Sequence, residues 1–264
     1  MQAPALDRLL AQALEGVGRP AAFVLAGHNG SGKSTLWDSR LSPMLHMPLI
    51  NADRLTLSIL PQPGADGKLP AWAQSLRDDD ERWQILSQRG VRAYKSLVME
   101  EAIPFAFETV FSHWKPRAEG GYESKADDIV EMQAKGYFVV LIFVGLIGPD
   151  ISVLRVATRR QQGGHDVERG KLLARFPRTQ AAVAHAAPVA DMTLMFDNSL
   201  GAKKAFTLVR AQRKAHVLFD ARDPRYAVDP EVIAVSGPWL SKVAGAFPAT
   251  PGQMPNKRRA ARRR

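Results

Sequence analysis

The sequence predicts an α/β fold: a parallel sheet with helices on both faces. Two observations predict it. Short apolar runs alternate with helical patterns along most of the chain. The first run is followed at once by a glycine-rich loop, AGHNGSGKST, and then by a helical pattern. Strand, glycine loop and helix in that order are the opening unit of many parallel sheets.

Five strands are expected, at Ala22–Ala26, Pro48–Asn51, Phe105–Glu108, Tyr137–Val144 and Met192–Phe196. Helices are expected over 33–41, 80–102, 123–135, 149–162, 168–175, 179–188 and 201–214. The organisation that follows is an N-terminal helix (1–19), a core (20–214), an extension (215–247) and a basic tail (248–264). In the extension, HVLFD and EVIAV read as extra strands in a proline-rich, peripheral setting.

The composition supports one large α/β unit and limits the chemistry. The chain has 264 residues, 45% of them hydrophobic, enough for a sizeable core. It has no cysteine, which excludes disulfides and thiolate metal sites and suits the cytoplasm. The first residues, MQAPALDRLLAQALEG, carry acidic side chains and no sustained apolar core, so they read as an amphipathic helix rather than a secretion signal. The longest apolar run, FVVLIFVGLIG, is too short to span a bilayer and reads as a buried strand. Net charge is +10, falling to +4 without the last eight residues, KRRAARRR. Residues 248–264 are expected to be a disordered, solvated basic terminus, with weak contact to nucleic acid or an anionic membrane as the alternative.

The loop itself is chemically explicit. Gly27, Gly30, Gly32, Lys33 and Ser34 fit the phosphate-loop pattern G-x-x-x-x-G-K-[ST]. Glycines let several backbone N–H groups converge on one anion, so Gly27 to Thr35, with His28, Asn29 and Ser31, is the expected nucleotide-binding segment. Lys33 is placed to reach terminal phosphates, and the Ser34 hydroxyl to ligate Mg2+.

In parallel sheets, ligands bind beyond the carboxyl ends of the strands. Those ends here carry the loop, Asp53 in INADRL, Glu108 with Thr109 and Ser112 in FETVFS, and Asp197 with Asn198 in FDNS. Asp53 is a candidate to accept a proton from a substrate hydroxyl or to help hold Mg2+; the alternative is a helix cap. Glu108, Thr109 and Ser112 suit the hydroxyls of an acceptor, with a capping or salt-bridging role for Glu108 as the alternative. His113 and Lys115 are weaker candidates. Residues 155–179 pair two basic helices around Gly163 and Gly164, a composition suited either to a hinged lid or to an ordinary solvated helix pair. Arg155, Arg159, Arg160, Arg175 and Arg178 supply planar donors for phosphate oxygens, and His165-Asp166 could cap the second helix.

Absences sharpen this. The sequence has no LSGGQ-like segment, no apolar strand ending in Asp-Glu and no N-K-x-D segment. A small-molecule kinase is therefore favoured over a motor or a GTPase switch. A kinase for another hydroxyl acceptor, a kinase for a nucleic-acid 5′-end and a non-catalytic ATP-binding module remain open.

AGHNGSGKST, INADRL, FAFETVFSH, GYFVVLIFVGL, RVATRRQQGGHDV, RFPRT and FDNS, in this order, resemble the zeta toxin family of P-loop kinases over roughly residues 20–200. The resemblance implies a nucleotide-kinase-like core with a five-stranded parallel sheet and an arginine-rich lid over about 155–178. It implies ATP and Mg2+ as cofactors, UDP-N-acetylglucosamine as phosphate acceptor, and an antitoxin as a separate partner. Carried over by motif, Lys33 holds the phosphates, Ser34 the metal, and Asp53 is the base. Glu108 and Thr109 fall in the substrate segment. Arginines of the lid clamp the γ-phosphate, with Arg159 and Arg175 chosen ahead of Arg155. The loop departs from the common pattern at His28 and Ser31, and no antitoxin-like segment precedes it.

Overall fold

Strands β1 (Ala21–Gly27) and β6 (Phe138–Gly145) are buried along their whole length, which is why they read as unbroken apolar runs rather than alternating ones. They pair in parallel at the centre of a seven-stranded sheet of order β2-β3-β1-β6-β7-β8-β9. The computed structural model describes residues 1–15, 18–161 and 167–247.

Along the chain, α1 (Leu6–Leu14) precedes β1. The helix after the phosphate loop runs as α2 (Lys33–Leu36), a π turn at Trp37–Leu41, and α3 (Ser42–Leu45). There follow β2 (Leu49–Ile50), α4 (Ala52–Ser58), α5 (Ala71–Asp78), α6 (Glu81–Glu100) and β3 (Phe105–Thr109). A hairpin of β4 (Trp114–Pro116) and β5 (Tyr122–Ser124) leads to α7 (Ala126–Ala134) and β6. Then come α8 (Pro149–Gln161), α9 (Arg169–Ala186), β7 (Met192–Asp197), β8 (Thr207–Arg213), β9 (His216–Asp220) and α10 (Pro230–Ala244).

The five expected strands are β1, β2, β3, β6 and β7, and they pair in parallel. Their carboxyl ends therefore share one edge of the sheet. The sheet is larger than five strands, because β8 and β9 add to it antiparallel.

Three expectations are corrected. Residues 201–214 do not form a helix: β8 lies here. It was disguised because Arg210 and Gln212 are buried polar residues, Arg210 pairing with Gln212 and Asp220, and Gln212 donating to the carbonyl of Ala187. EVIAV is not a strand but the start of α10, which Asp229 caps and Pro230 opens. The two helices expected over 168–188 are one, α9, with Pro177 inside it. The extension is also less peripheral than its composition suggests. β9 completes the sheet edge, and Trp239 of α10 is buried against the ends of β6 and β7, with Gly145 leaving it room: a Cβ there would lie 2.5 Å from the indole. The glycines 163 and 164, His165, Asp166 and the tail 248–264 lie outside the described residues.

Candidate functional site

β1 ends at Gly27, and the chain turns back on itself, with the N–H of Ser31 donating to the carbonyl of His28 at 3.1 Å. Two glycines are indispensable to the turn. A Cβ on Gly27 would lie 2.7 Å from Ser31 Oγ and 2.8 Å from the carbonyl oxygen of Val144. Gly32, with φ +93°, precedes the helix in the left-handed region, and a Cβ there would lie 2.6 Å from Asn198 Nδ2. The loop is gripped from both sides. Ser152 of α8 donates to the carbonyl of Asn29 at 2.6 Å, and Asn198, after β7, donates to that of Ser31 at 2.8 Å. From the π turn, Arg40 donates to the carbonyls of Ala205 and Phe206, fastening the β7–β8 connection beside the loop.

Lys33 folds back across this turn. Its Nζ donates to the carbonyls of His28 (3.0 Å) and Gly27 (3.3 Å) and lies 3.8 Å from Glu108 Oε1. Burial lowers its pKa; Glu108 and then Asp53 push it up, and Arg159 pushes it down. Both carboxylates and Arg159 are thus within electrostatic reach of the ammonium. Ser34 donates into the Glu108 carboxylate, 3.0 and 2.9 Å from its two oxygens, and Asn51 Nδ2 donates to the same group at 2.7 Å. Glu108 and Asn51 come from the ends of adjacent strands, so the sheet register sets this contact.

Asp53 stands apart. It is exposed in the first turn of α4 and makes no hydrogen bond or ion pair among the described residues. It does not cap that helix: Asn51 does, accepting from the N–H of Arg54 at 3.0 Å. Thr109 accepts from the N–H of Phe111 at 3.4 Å, and Phe111 itself is buried at φ +64°, a conformation strained for so bulky a residue. Ser112 makes no hydrogen bond among the described residues, and His113 pairs with Glu123 at 2.8 Å. Asp197 is occupied structurally, accepting from Ser199 and from Trp239 Nε1.

The arginines divide. Arg155 donates to the carbonyl of Asn198 at 2.7 Å, with its pKa lowered by burial and raised in part by Asp197. Arg159, on the same helix, bears on Lys33. Arg175 is half-buried on α9, with no hydrogen bond or ion pair among the described residues, while Arg178 donates to its own helix.

Two features escaped sequence reasoning. Asn51, which orients Glu108, was legible only as the residue before a helix. His28 stacks on Phe176 of α9, with ring centroids 3.8 Å apart and planes 11° apart, and packs edge-on against Phe143. No linear pattern joins those positions.

The arrangement can hold an anion. Lys33 supplies a cation, and the Ser31 hydroxyl, a possible donor, is buried without a hydrogen-bond partner among the described residues. For a hard divalent cation the oxygen donors are Ser34 and Glu108. No cluster of three or more His, Asp or Glu suited to a metal exists among the described residues. Such a donor set fits an Mg2+ shared with phosphate and water rather than caged by protein.

No family model matches the sequence, and no curated protein is detectably similar to it. Solved structures are. A chain from the PezAT chromosomal toxin–antitoxin system of Streptococcus pneumoniae is similar with a TM-score of 0.50 at 12% identity, over 95% of this chain and 92% of that one. The AvrRxo1-ORF1:AvrRxo1-ORF2 complex with sulphate ions gives 0.55 at 14% identity, over 90% and 80%. The same complex with ATP gives 0.53, again at 14% identity over 90% and 80%. At these identities the likeness is one of fold: a mostly parallel central sheet flanked by helices. Among the described residues, no helix is long and apolar enough to cross a membrane.

Proposed function

We propose that this protein is a zeta-toxin-like P-loop kinase that transfers the γ-phosphate of ATP to a hydroxyl of a small acceptor, with UDP-N-acetylglucosamine as the first candidate. One observation carries the reading. Lys33, Ser34 and Glu108 converge at the carboxyl edge of the sheet, with Asp53 within electrostatic reach of Lys33 and without an ion pair among the described residues. The fold shared with a chain of a toxin–antitoxin system, and with a complex that holds ATP, supports it.

In this mechanism the loop N–H groups and Lys33 bind the phosphates, the ammonium exchanging the carbonyls of Gly27 and His28 for phosphate oxygens. Ser34 and Glu108 would hold Mg2+, which screens phosphate charge when bound. Asn51 keeps Glu108 turned toward Ser34. Asp53 accepts the proton of the acceptor hydroxyl as its oxygen forms the new bond to phosphorus and the bond to ADP breaks. Arg159 and Arg175 approach the transferred group from α8 and α9, with Arg155 bracing the loop at Asn198. Thr109 and Ser112 line the acceptor side at the exit of β3. An antitoxin-type partner is part of this reading.

The test is transfer by the purified full chain. ATP, Mg2+ and UDP-N-acetylglucosamine are expected to yield a singly phosphorylated sugar nucleotide by mass spectrometry. Lys33→Ala should abolish both ATP binding and product. Asp53→Asn should keep ATP binding and lower transfer by roughly a hundredfold or more. ATP binding without product sinks the sugar-nucleotide assignment alone; no ATP binding sinks the kinase reading.

A further inference from the structure

We propose that His28 is a positioning residue: its ring, stacked on Phe176, docks α9 on the phosphate loop and so places Arg175 at the terminal phosphate. The inference rests on the phosphotransfer reading above.

The geometry is specific. Only 3% of His28 is exposed, and its ring lies flat on Phe176 at 3.8 Å. The residue also works through its backbone, since its carbonyl accepts from both Lys33 Nζ and the N–H of Ser31. One residue thus helps hold Lys33, together with the carbonyl of Gly27, and contacts α9. Arg175 is the neighbour of Phe176, half-buried, and without a hydrogen bond or ion pair among the described residues. A second contact fixes the direction of the helix: Thr179 donates to the carbonyl of Val110 at 3.3 Å, two residues beyond Glu108. α9 therefore bridges the phosphate loop and the exit of the strand that carries Glu108.

The choice of imidazole carries information. A phenyl ring would stack as well and leave nothing unsatisfied. Both ring nitrogens of His28 are instead buried without partners among the described residues, so docking costs their hydration and undocking restores it. His28 gives a contact that orders Arg175 and still releases it.

The measurement is the affinity of the full chain for ATP and for ADP in the presence of Mg2+, by calorimetry. Arg175 can tell the two apart only through the γ-phosphate. His28→Ala should weaken ATP by roughly tenfold to a hundredfold and ADP by less than about threefold. Arg175→Ala should do the same, and the double variant should be no weaker than Arg175→Ala alone, because the two act as one unit. His28→Phe should retain the wild-type ratio of ATP to ADP affinity. Should His28→Ala fail to fold, Phe176→Leu carries the same comparison. Parallel loss of ATP and ADP affinity, multiplying losses in the double variant, or a His28→Phe that behaves as alanine would each overturn the inference while leaving the kinase reading intact. A wild-type chain that binds no ATP overturns both.

Discussion

Between Gly27 and Ser34 the chain buries an imidazole, a hydroxyl and an ammonium, with His28 3%, Ser31 0% and Lys33 6% exposed. Groups of this kind are expensive to desolvate, and among the described residues only Lys33 of the three side chains finds partners, in two carbonyls and Glu108. The consequence for His28 can be measured. Burial, and then the charge of Lys33, lower its pKa from 6.5 to about 3. The unfolded chain therefore takes up a proton at this site in a pH range where the folded chain does not. Stability is lost as pH falls from 6.5 toward 3, at about 1.4 kcal/mol per pH unit from this residue. His28→Phe removes that component. Urea unfolding between pH 7 and pH 4 should show a shallower decline for the variant than for the wild type; equal slopes would mean that His28 is not held neutral. At this scale the sequence was informative about type and poor about partners. Lys33 and Ser34 were legible from their spacing. That Ser34 meets Glu108 depends on the pairing of β1 with β3, and that Asn51 also reaches Glu108 depends on the pairing of β2 with β3.

Elements were legible where one face or both faces are uniformly apolar. β1 and β6 satisfy this, and so does α1, whose Leu9, Leu10 and Ala13 are buried. β8 failed because its buried residues include a salt-bridged arginine and a glutamine, which interrupt the apolar run that marks a buried strand. α10 failed because its β-branched start outweighed the Asp-Pro signal before it. The helix is nonetheless integral. Trp239 is 1% exposed, donates to Asp197, and meets Phe143 edge-on at a centroid distance of 5.4 Å. It thereby braces β7 immediately before Asn198, the residue that grips the phosphate loop. Trp239→Ala should cost about 3–5 kcal/mol and lower the melting temperature by on the order of 10 °C. A shift of a degree or two in differential scanning calorimetry would show that α10 is dispensable.

For the whole molecule, the positive charge is concentrated at one end of the chain. Six of the positive charges behind the net +10 lie within the last eight residues, whereas α10 ends at Ala244. A chain ending at Phe247 should melt at the same temperature as the full one. If the full chain binds polynucleotides through this segment, the shortened chain should lose that binding, the slope of log affinity against log salt becoming shallower by up to roughly five. Polynucleotide binding that survives the deletion with an unchanged slope would place the responsible basic surface before residue 248. A melting temperature that falls would give residues after Phe247 a structural role.

The five parallel strands and the phosphate loop were legible in the sequence alone, because both depend on local information: runs of apolar residues, and glycine spacing that only a sharp turn can use. So was the chemistry of the strand ends, since a parallel sheet collects them on one edge whatever its strand order. What only the tertiary structure decided is who meets whom there. The sheet order places β3 beside β1, so Glu108 faces Lys33 and Ser34 while Asp53 stays unpaired and Asp197 is taken by Trp239. The stack of His28 on Phe176 exists because α9 returns over the loop. Contacts of this kind follow from the closing of long loops against one another, and no local pattern of residues encodes them.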